Sequence, residues 1–194
     1  MIKKVFIIAI AFNLISLLQS CCTEEYDYMW NDFSLTVIDN SGNYPALTDG
    51  NEINKKALGF RVTLQDSVIY LAQSIKLMNT CAATSCGEEY TRTHKLLSAR
   101  IKTLLAYSEE YPEDSDITEL FMARESEDSE STYISVDRII STINANSKGY
   151  NISDKFDLYL IDTTAYSGEQ LFEIQLTLSD GLTFSQKTDT LTFY

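Results

Sequence analysis

Two thiols and one imidazole are the side chains with the widest chemical reach in this 194-residue chain. Cys81 and Cys86 stand in Cys-Ala-Ala-Thr-Ser-Cys, and the single histidine is His94. The spacing is not the Cys-x-x-Cys that depresses a thiol pKa, so a redox pair is disfavoured. Two thiols and one histidine do not complete the four-ligand shell of zinc, and no metal site is expected. In an oxidising compartment Cys81 and Cys86 close a short disulfide loop, which pins a local turn more than it holds a fold. His94 lies among Thr91, Arg92, Thr93 and Lys95, a polar setting that suits a surface imidazole better than a catalytic one. No Gly-x-Ser-x-Gly elbow is present, and the 7 glycines make no phosphate-cradling loop. The 28 carboxylates leave a glycosidase pair open, but such a pair is defined by separation in space. Asp114, Asp116 and Glu119, and the run from Glu125 to Glu130, lack the twelve-residue pattern with central glycine of a calcium loop and read as solvated acid. The chain is expected to be non-enzymatic and to need no cofactor.

Binding rather than catalysis directs attention to aromatics. Tyr26, Tyr28 and Trp30, followed by Phe33, form a cluster of the kind that suits sugars and peptide edges. The competing reading is that these rings staple the amino-terminal segment to the domain or meet a lipid interface.

The amino terminus reads as an export signal. Met1-Ile2-Lys3-Lys4 is basic, Val5 to Leu18 is apolar apart from Asn13 and Ser16, and Leu18-Gln19-Ser20-Cys21 ends on a small residue before cysteine. A bilayer span needs roughly 20 apolar residues, so this run reads as a cleaved signal covering residues 1–20. The cleavage pattern resembles the lipobox of bacterial lipoproteins, which implies lipidation of Cys21 by a diacylglyceryl thioether and an N-acyl, palmitate-type chain. Cys22 is the weaker candidate, because it would place the polar Gln19 where an aliphatic residue is wanted. More than one acyl chain, at about 0.8 kcal/mol per buried methylene, gives stable anchoring. The acidic Thr23-Glu24-Glu25-Tyr26-Asp27 resembles the tag that sends lipoproteins of the Bacteroides group to the outer face of the outer membrane, and reads equally as a solvated tether.

The formal net charge is −13, and loss of residues 1–20 removes Lys3 and Lys4 and no acid. So acidic a chain is a poor partner for nucleic acid or anionic lipid. Its 44% hydrophobic and 11% aromatic content is that of a globular domain. With few Gly and Pro to mark a linker, the expected organisation is a tether over residues 21–32 and one domain over 33–194.

The elements that must position any site are mostly strands. Phe33, Leu35 and Val37 alternate up to Asp39, and Leu58, Phe60, Val62 and Leu64 alternate within Ala57 to Gln65. Val68 to Leu77 reads as another strand. Leu96 to Tyr107 fits both helix and strand, with the strand favoured over its second half. Asp116-x-x-Glu119 has the form of a capping box and predicts a one- or two-turn helix through Phe121. Val136, Ile139, Ile140 and Ile143 predict a helix started by Ser135 and closed by Lys148-Gly149. Phe156, Leu158 and Leu160 alternate with Asp157, Tyr159 and Ile161. Phe172, Ile174, Leu176 and Leu178 lead into Asp180-Gly181, the dipeptide of a tight hairpin. Short strands without regular βα alternation predict a mainly β chain, an antiparallel immunoglobulin-like β-sandwich with one inserted α-helix.

Ser115-Asp116-Ile117-Thr118-Glu119-Leu120-Phe121, the ending from Phe172 to Gly181, and Thr190-Leu191-Thr192 resemble small Bacteroides-type surface lipoproteins with an uncharacterised domain. That resemblance brings no functional residues. Asp66-Ser67-Val68, Asp162-Thr163-Thr164 and Asp189-Thr190-Leu191 also resemble the acceptor sequence for O-glycans in exported proteins of that group. The expected protein is a lipid-anchored envelope module that binds a glycan or an envelope protein. A carbohydrate-active accessory of an outer-membrane transporter and a fimbria-like structural subunit are the alternatives.

Overall fold

Leu58, Phe60, Val62 and Leu64 are all buried, as their alternation requires, within a strand that runs Leu58–Ile69. The computed structural model describes residues 23–42, 44–48, 50–69, 87–125, 132–145, 154–162 and 168–194. The strands are β1 (Thr23–Asp39), β2 (Ala46–Leu47), β3 (Glu52–Ile53), β4 (Leu58–Ile69), β5 (Gly87–Arg92), β6 (Leu96–Thr103) and β7 (Phe121–Glu125). Helix α1 (Val136–Ala145) follows, then β8 (Lys155–Leu160), β9 (Gly168–Gln170), β10 (Phe172–Leu178), β11 (Thr183–Lys187) and β12 (Leu191–Phe193).

The first sheet has the order β2-β1-β4-β8-β7, with β5 added in parallel to the amino-terminal half of β1. A second sheet, β11-β10-β6, is antiparallel, and a third, β3-β12-β9, contains one parallel pair, β12 with β3. The result is a mostly β, sandwich-like fold with a single helix among the described residues, and an immunoglobulin-like layering is consistent with it. Phenylalanines join the sheets: Phe172 of the second lies 5.3 Å from Phe60 and 6.5 Å from Phe121 of the first, and 6.2 Å from Phe193 of the third. Each such side chain contributes roughly 1.5–3 kcal/mol by leaving water.

β1 starts well before Phe33. Its register against β4 shifts between Trp30 and Asp32, so Asn31 is a bulge residue. One inserted residue changes the parity, placing Tyr28 and Trp30 on the same buried side as Phe33. Within the segment expected as tether, residues from Thr23 onward are therefore strand.

Three further expectations are corrected. The strand in the Leu96 to Tyr107 stretch covers its first part and ends at Thr103. The helix expected through Phe121 is a single 3-10 turn, Thr118–Leu120, and Phe121 opens β7. Asp116 does cap the turn, its Oδ1 accepting from the Thr118 amide at 3.0 Å, but Glu119 accepts instead from the Tyr111 hydroxyl at 2.8 Å. Ile69 ends β4, and the remainder of the strand expected to Leu77 lies outside the described residues, as does the Lys148-Gly149 helix stop.

Helix α1 buries Val136, Ile139, Ile140 and Ile143 against β6 and β7. Its Asn144 amide accepts from the Leu96 N–H at 3.0 Å and donates to the Leu96 carbonyl at 2.8 Å, standing in for a neighbouring strand. At the β10–β11 hairpin Gly181 has φ +88, which a Cβ would strain, and the Leu178 amide donates to the Leu182 carbonyl at 2.8 Å.

Candidate functional site

Cys21, Cys81 and Cys86 lie outside the described residues. Of the three aromatics expected to bind, Tyr26 is half-buried and stacked on Tyr90 of β5 at 5.1 Å. Tyr28 and Trp30 are 4% and 1% exposed, so they do not form an open platform. Trp30 donates from Nε1 to Asp154 Oδ2 at 3.2 Å, and the Arg92 guanidinium lies over its ring at 4.2 Å. Arg92 also donates to Asp154 Oδ2 at 3.1 Å and to the Ile143 carbonyl near the end of α1 at 2.8 Å. A cation there complements the negative end of the helix dipole. Burial pushes the Asp154 carboxyl above its ordinary range, with Arg92 and Trp30 holding it back, and burial likewise raises Tyr28. These rings fasten the start of β1 to β5, β8 and the helix.

His94 is partly exposed, Nε2 3.3 Å from Asp180 Oδ2 and Nδ1 2.8 Å from the Thr93 hydroxyl. Thr93, His94 and Asp180 thus follow the order hydroxyl, imidazole, carboxylate, and the Thr93 hydroxyl also bonds the Tyr28 carbonyl at 3.2 Å. A second polar cluster joins Lys55, Asp162 and Tyr107: Asp162 Oδ2 accepts from Lys55 Nζ at 2.8 Å and from the Tyr107 hydroxyl at 2.7 Å. Burial and the Asp162 charge push the Tyr107 phenol far up, so it is no base. Among the described residues no three His, Cys, Asp or Glu side chains converge as metal ligands, and no helix is long and apolar enough to cross a membrane.

The most developed surface cluster sits on the outer face of the first sheet. Register places Arg61 of β4 opposite Asp157 of β8, and Asp157 opposite Arg124 of β7. Asp157 is fully buried, yet both its oxygens go to Arg61, from Nε and Nη2 at 2.8 Å each. The Tyr159 hydroxyl donates to Asp157 Oδ2 at 3.0 Å and accepts from Arg124 Nη2 at 3.0 Å. Burial and the neighbouring Asp157 charge raise the Tyr159 phenol well above its usual value, keeping it a neutral relay.

The Arg124 guanidinium lies 5.2 Å from the Tyr159 ring centre and 5.5 Å from that of Tyr133. Tyr133 stands edge-on to Tyr159 at 5.2 Å, is held by a bond from Asn40 Nδ2 at 3.0 Å, and is 45% exposed. Two register rows further on, Ile38, Gly59 and Tyr159 pair across β1, β4 and β8. A Cβ at Gly59 would meet Ile38 Cγ1 at 2.8 Å and Tyr159 Cδ1 at 3.0 Å, so only glycine lets those side chains close over the backbone. The row reaches β2, where Leu47 opposite Ile38 is 63% exposed.

Sequence alternation put Arg61, Asp157 and Tyr159 on outward positions without joining them, and it left Arg124 unassigned. An aspartate inside Phe-Asp-Leu-Tyr-Leu was the available signal, because a carboxylate in a buried strand requires a cation. Chemically the face offers a buried ion pair, a stacked guanidinium and an exposed phenol.

The fold is that of a mostly β, sandwich-like domain with one packed helix among the described residues. The chain belongs to the family described as domain of unknown function DUF5034, whose model matches residues 30–189. The match begins at Trp30, where β1 enters the core. No curated protein and no solved structure matches the chain.

Proposed function

We propose that this protein is a lipid-anchored cell-envelope module that binds a partner through side chains and performs no catalysis. Its anchor is Cys21, at the outer membrane and facing the cell exterior. The observation that carries the reading is the run Leu18-Gln19-Ser20-Cys21 behind a basic start and a short apolar stretch. In that compartment Cys81 and Cys86 form a disulfide.

The test is fractionation of bacteria expressing the full chain or its Cys21→Ala variant, followed by protease treatment of intact cells. Membrane-bound, protease-accessible wild type with a soluble variant is the expected result. Wild type that is anchored but protected would move the protein to the periplasmic side, and equal solubility of both would remove the anchor.

A further inference from the structure

The chain contains two Asp-Gly dipeptides, Asp49-Gly50 and Asp180-Gly181, and the second lies in the turn between β10 and β11. An aspartate before glycine is open to backbone isomerisation, because no side chain shields the glycine nitrogen. In that reaction the nitrogen attacks the aspartate Cγ and closes a succinimide ring with loss of one water. Water then opens the ring at either carbonyl. Opening at the former backbone carbonyl routes the chain through the side-chain carbons and leaves isoaspartate. One water departs, one returns, and no oxidant or reductant takes part.

Ring closure requires the Asp180–Gly181 peptide to turn over and the Gly181 nitrogen to give up its proton. The hairpin opposes both. The Gly181 N–H donates to the Leu178 carbonyl at 3.0 Å, and Asp180 Oδ1 accepts from the Leu182 amide at 3.0 Å. Those bonds belong to the turn itself. Others come from the connection between β5 and β6, far away in sequence. The Ser179 amide donates to the Lys95 carbonyl at 2.8 Å, and the Lys95 amide donates to Ser179 Oγ at 3.0 Å. Beside them His94 Nε2 stands 3.3 Å from Asp180 Oδ2, while Nδ1 rests on the Thr93 hydroxyl. The turn is thus braced from outside, and the imidazole reaches its reactive residue. Asp180 is exposed, so the water that the reaction consumes is at hand.

We propose that Asp180 is a site of spontaneous backbone isomerisation, held shut by the connection between β5 and β6 with His94 as its guard. Conversion then waits on a local opening in which the turn bonds and the His94 contact are lost together. The product does not close again. Isoaspartate adds one carbon to the backbone of the turn and reduces the side chain to a bare carboxylate, so neither the Leu182 amide nor His94 recovers its acceptor. A change at one residue uncouples the hairpin from its brace, and refolding does not reverse it.

The experiment is prolonged incubation of the full chain in detergent at neutral pH, then digestion and mass spectrometry with electron-transfer fragmentation, which separates aspartate from isoaspartate. Folded wild type, urea-unfolded wild type and His94→Ala are compared, and Asp49 is read in every sample. The unfolded chain is expected to convert Asp180 at least about tenfold faster than the folded one, because folded conversion waits on opening. His94→Ala is expected to speed conversion of Asp180 by about fivefold, the weight of one hydrogen bond, and to leave Asp49 at its wild-type rate. His94→Gln, whose side-chain amide can still donate to Asp180, should fall between, and it decides the matter if the alanine variant fails to fold. Equal rates at Asp180 in folded and unfolded wild type would overturn the proposal, as would unchanged rates in the His94 variants. A rise at Asp180 and Asp49 alike would overturn it too, since general loosening would then explain the effect.

Discussion

The guanidinium of Arg92 lies 4.2 Å from the centre of the Trp30 ring, and both residues bind the same oxygen of Asp154. The side chains of Arg92 and Asp154 are 1% and 9% exposed, so neither charge can turn to water when the other is removed. Arg92→Met is expected to destabilise the domain by about 3–5 kcal/mol, the usual consequence of leaving a buried charge alone. The double variant Arg92→Met, Asp154→Leu should recover part of that loss. Urea denaturation of the single and double variants measures both, and a loss under about 1 kcal/mol for the single change would show the pair to be dispensable.

Acid should act on the same group. Burial raises the Asp154 carboxyl in the folded state above its unfolded value, so on acidification the native chain takes up this proton first. The stability Asp154 contributes is therefore present at low pH and lost as pH rises through the window just above the ordinary carboxylate range, about 3.9. Wild type minus Asp154→Asn, followed by urea midpoints from mildly acidic pH to neutrality, should shrink as pH rises. A difference that grows with pH would mean that the Arg92 charge outweighs burial.

Gly59 should not accept a side chain. With Ile38 Cγ1 2.8 Å and Tyr159 Cδ1 3.0 Å from where a Cβ would stand, Gly59→Ala must push apart two side chains packed on the sheet. The expected loss is about 1–3 kcal/mol, read as a lower thermal midpoint. An alanine at Gly50, where nothing lies within 4 Å, should leave the midpoint unchanged.

Tyr107 predicts alkaline behaviour. Burial and the bond to Asp162 raise its folded phenol well above the unfolded value of about 10. Its contribution is intact below about pH 10 and lost as the unfolded chain ionises above it. Tyr107→Phe should lose about 1 kcal/mol at neutral pH, through the missing hydroxyl, and show a flatter decline above about pH 10. An unchanged alkaline slope in urea titrations would refute the assignment.

The elements legible in the sequence were those whose pattern is local. The Val136, Ile139, Ile140, Ile143 stripe and the β10 alternation before Asp180-Gly181 appear as expected because helix period and turn chemistry are written in adjacent residues. The start of β1 was not legible, because the bulge at Asn31 moves the buried set from even to odd numbers and hides the alternation. β7 was obscured by the Asp116 cap signal beside it; it is five residues long and owes its pairing to β8, far along the chain. The candidate face was hidden for the same reason. Arg61, Asp157 and Arg124 come from three separate strands, and nothing in any one of them announces the other two.

β1 has 17 residues, about 55 Å of strand at roughly 3.3 Å per residue. It runs antiparallel to β4 along most of its length and parallel to β5 near its start. A pull on its amino-terminal end is directed along the strand, so it loads the cross-strand bonds together in shear instead of parting them one after another. Under such a load the rate of forced unfolding sets the lifetime of the domain. A domain held at that end in moving fluid would thus pass drag into β4 and β5 at once, through every bond of the ladder.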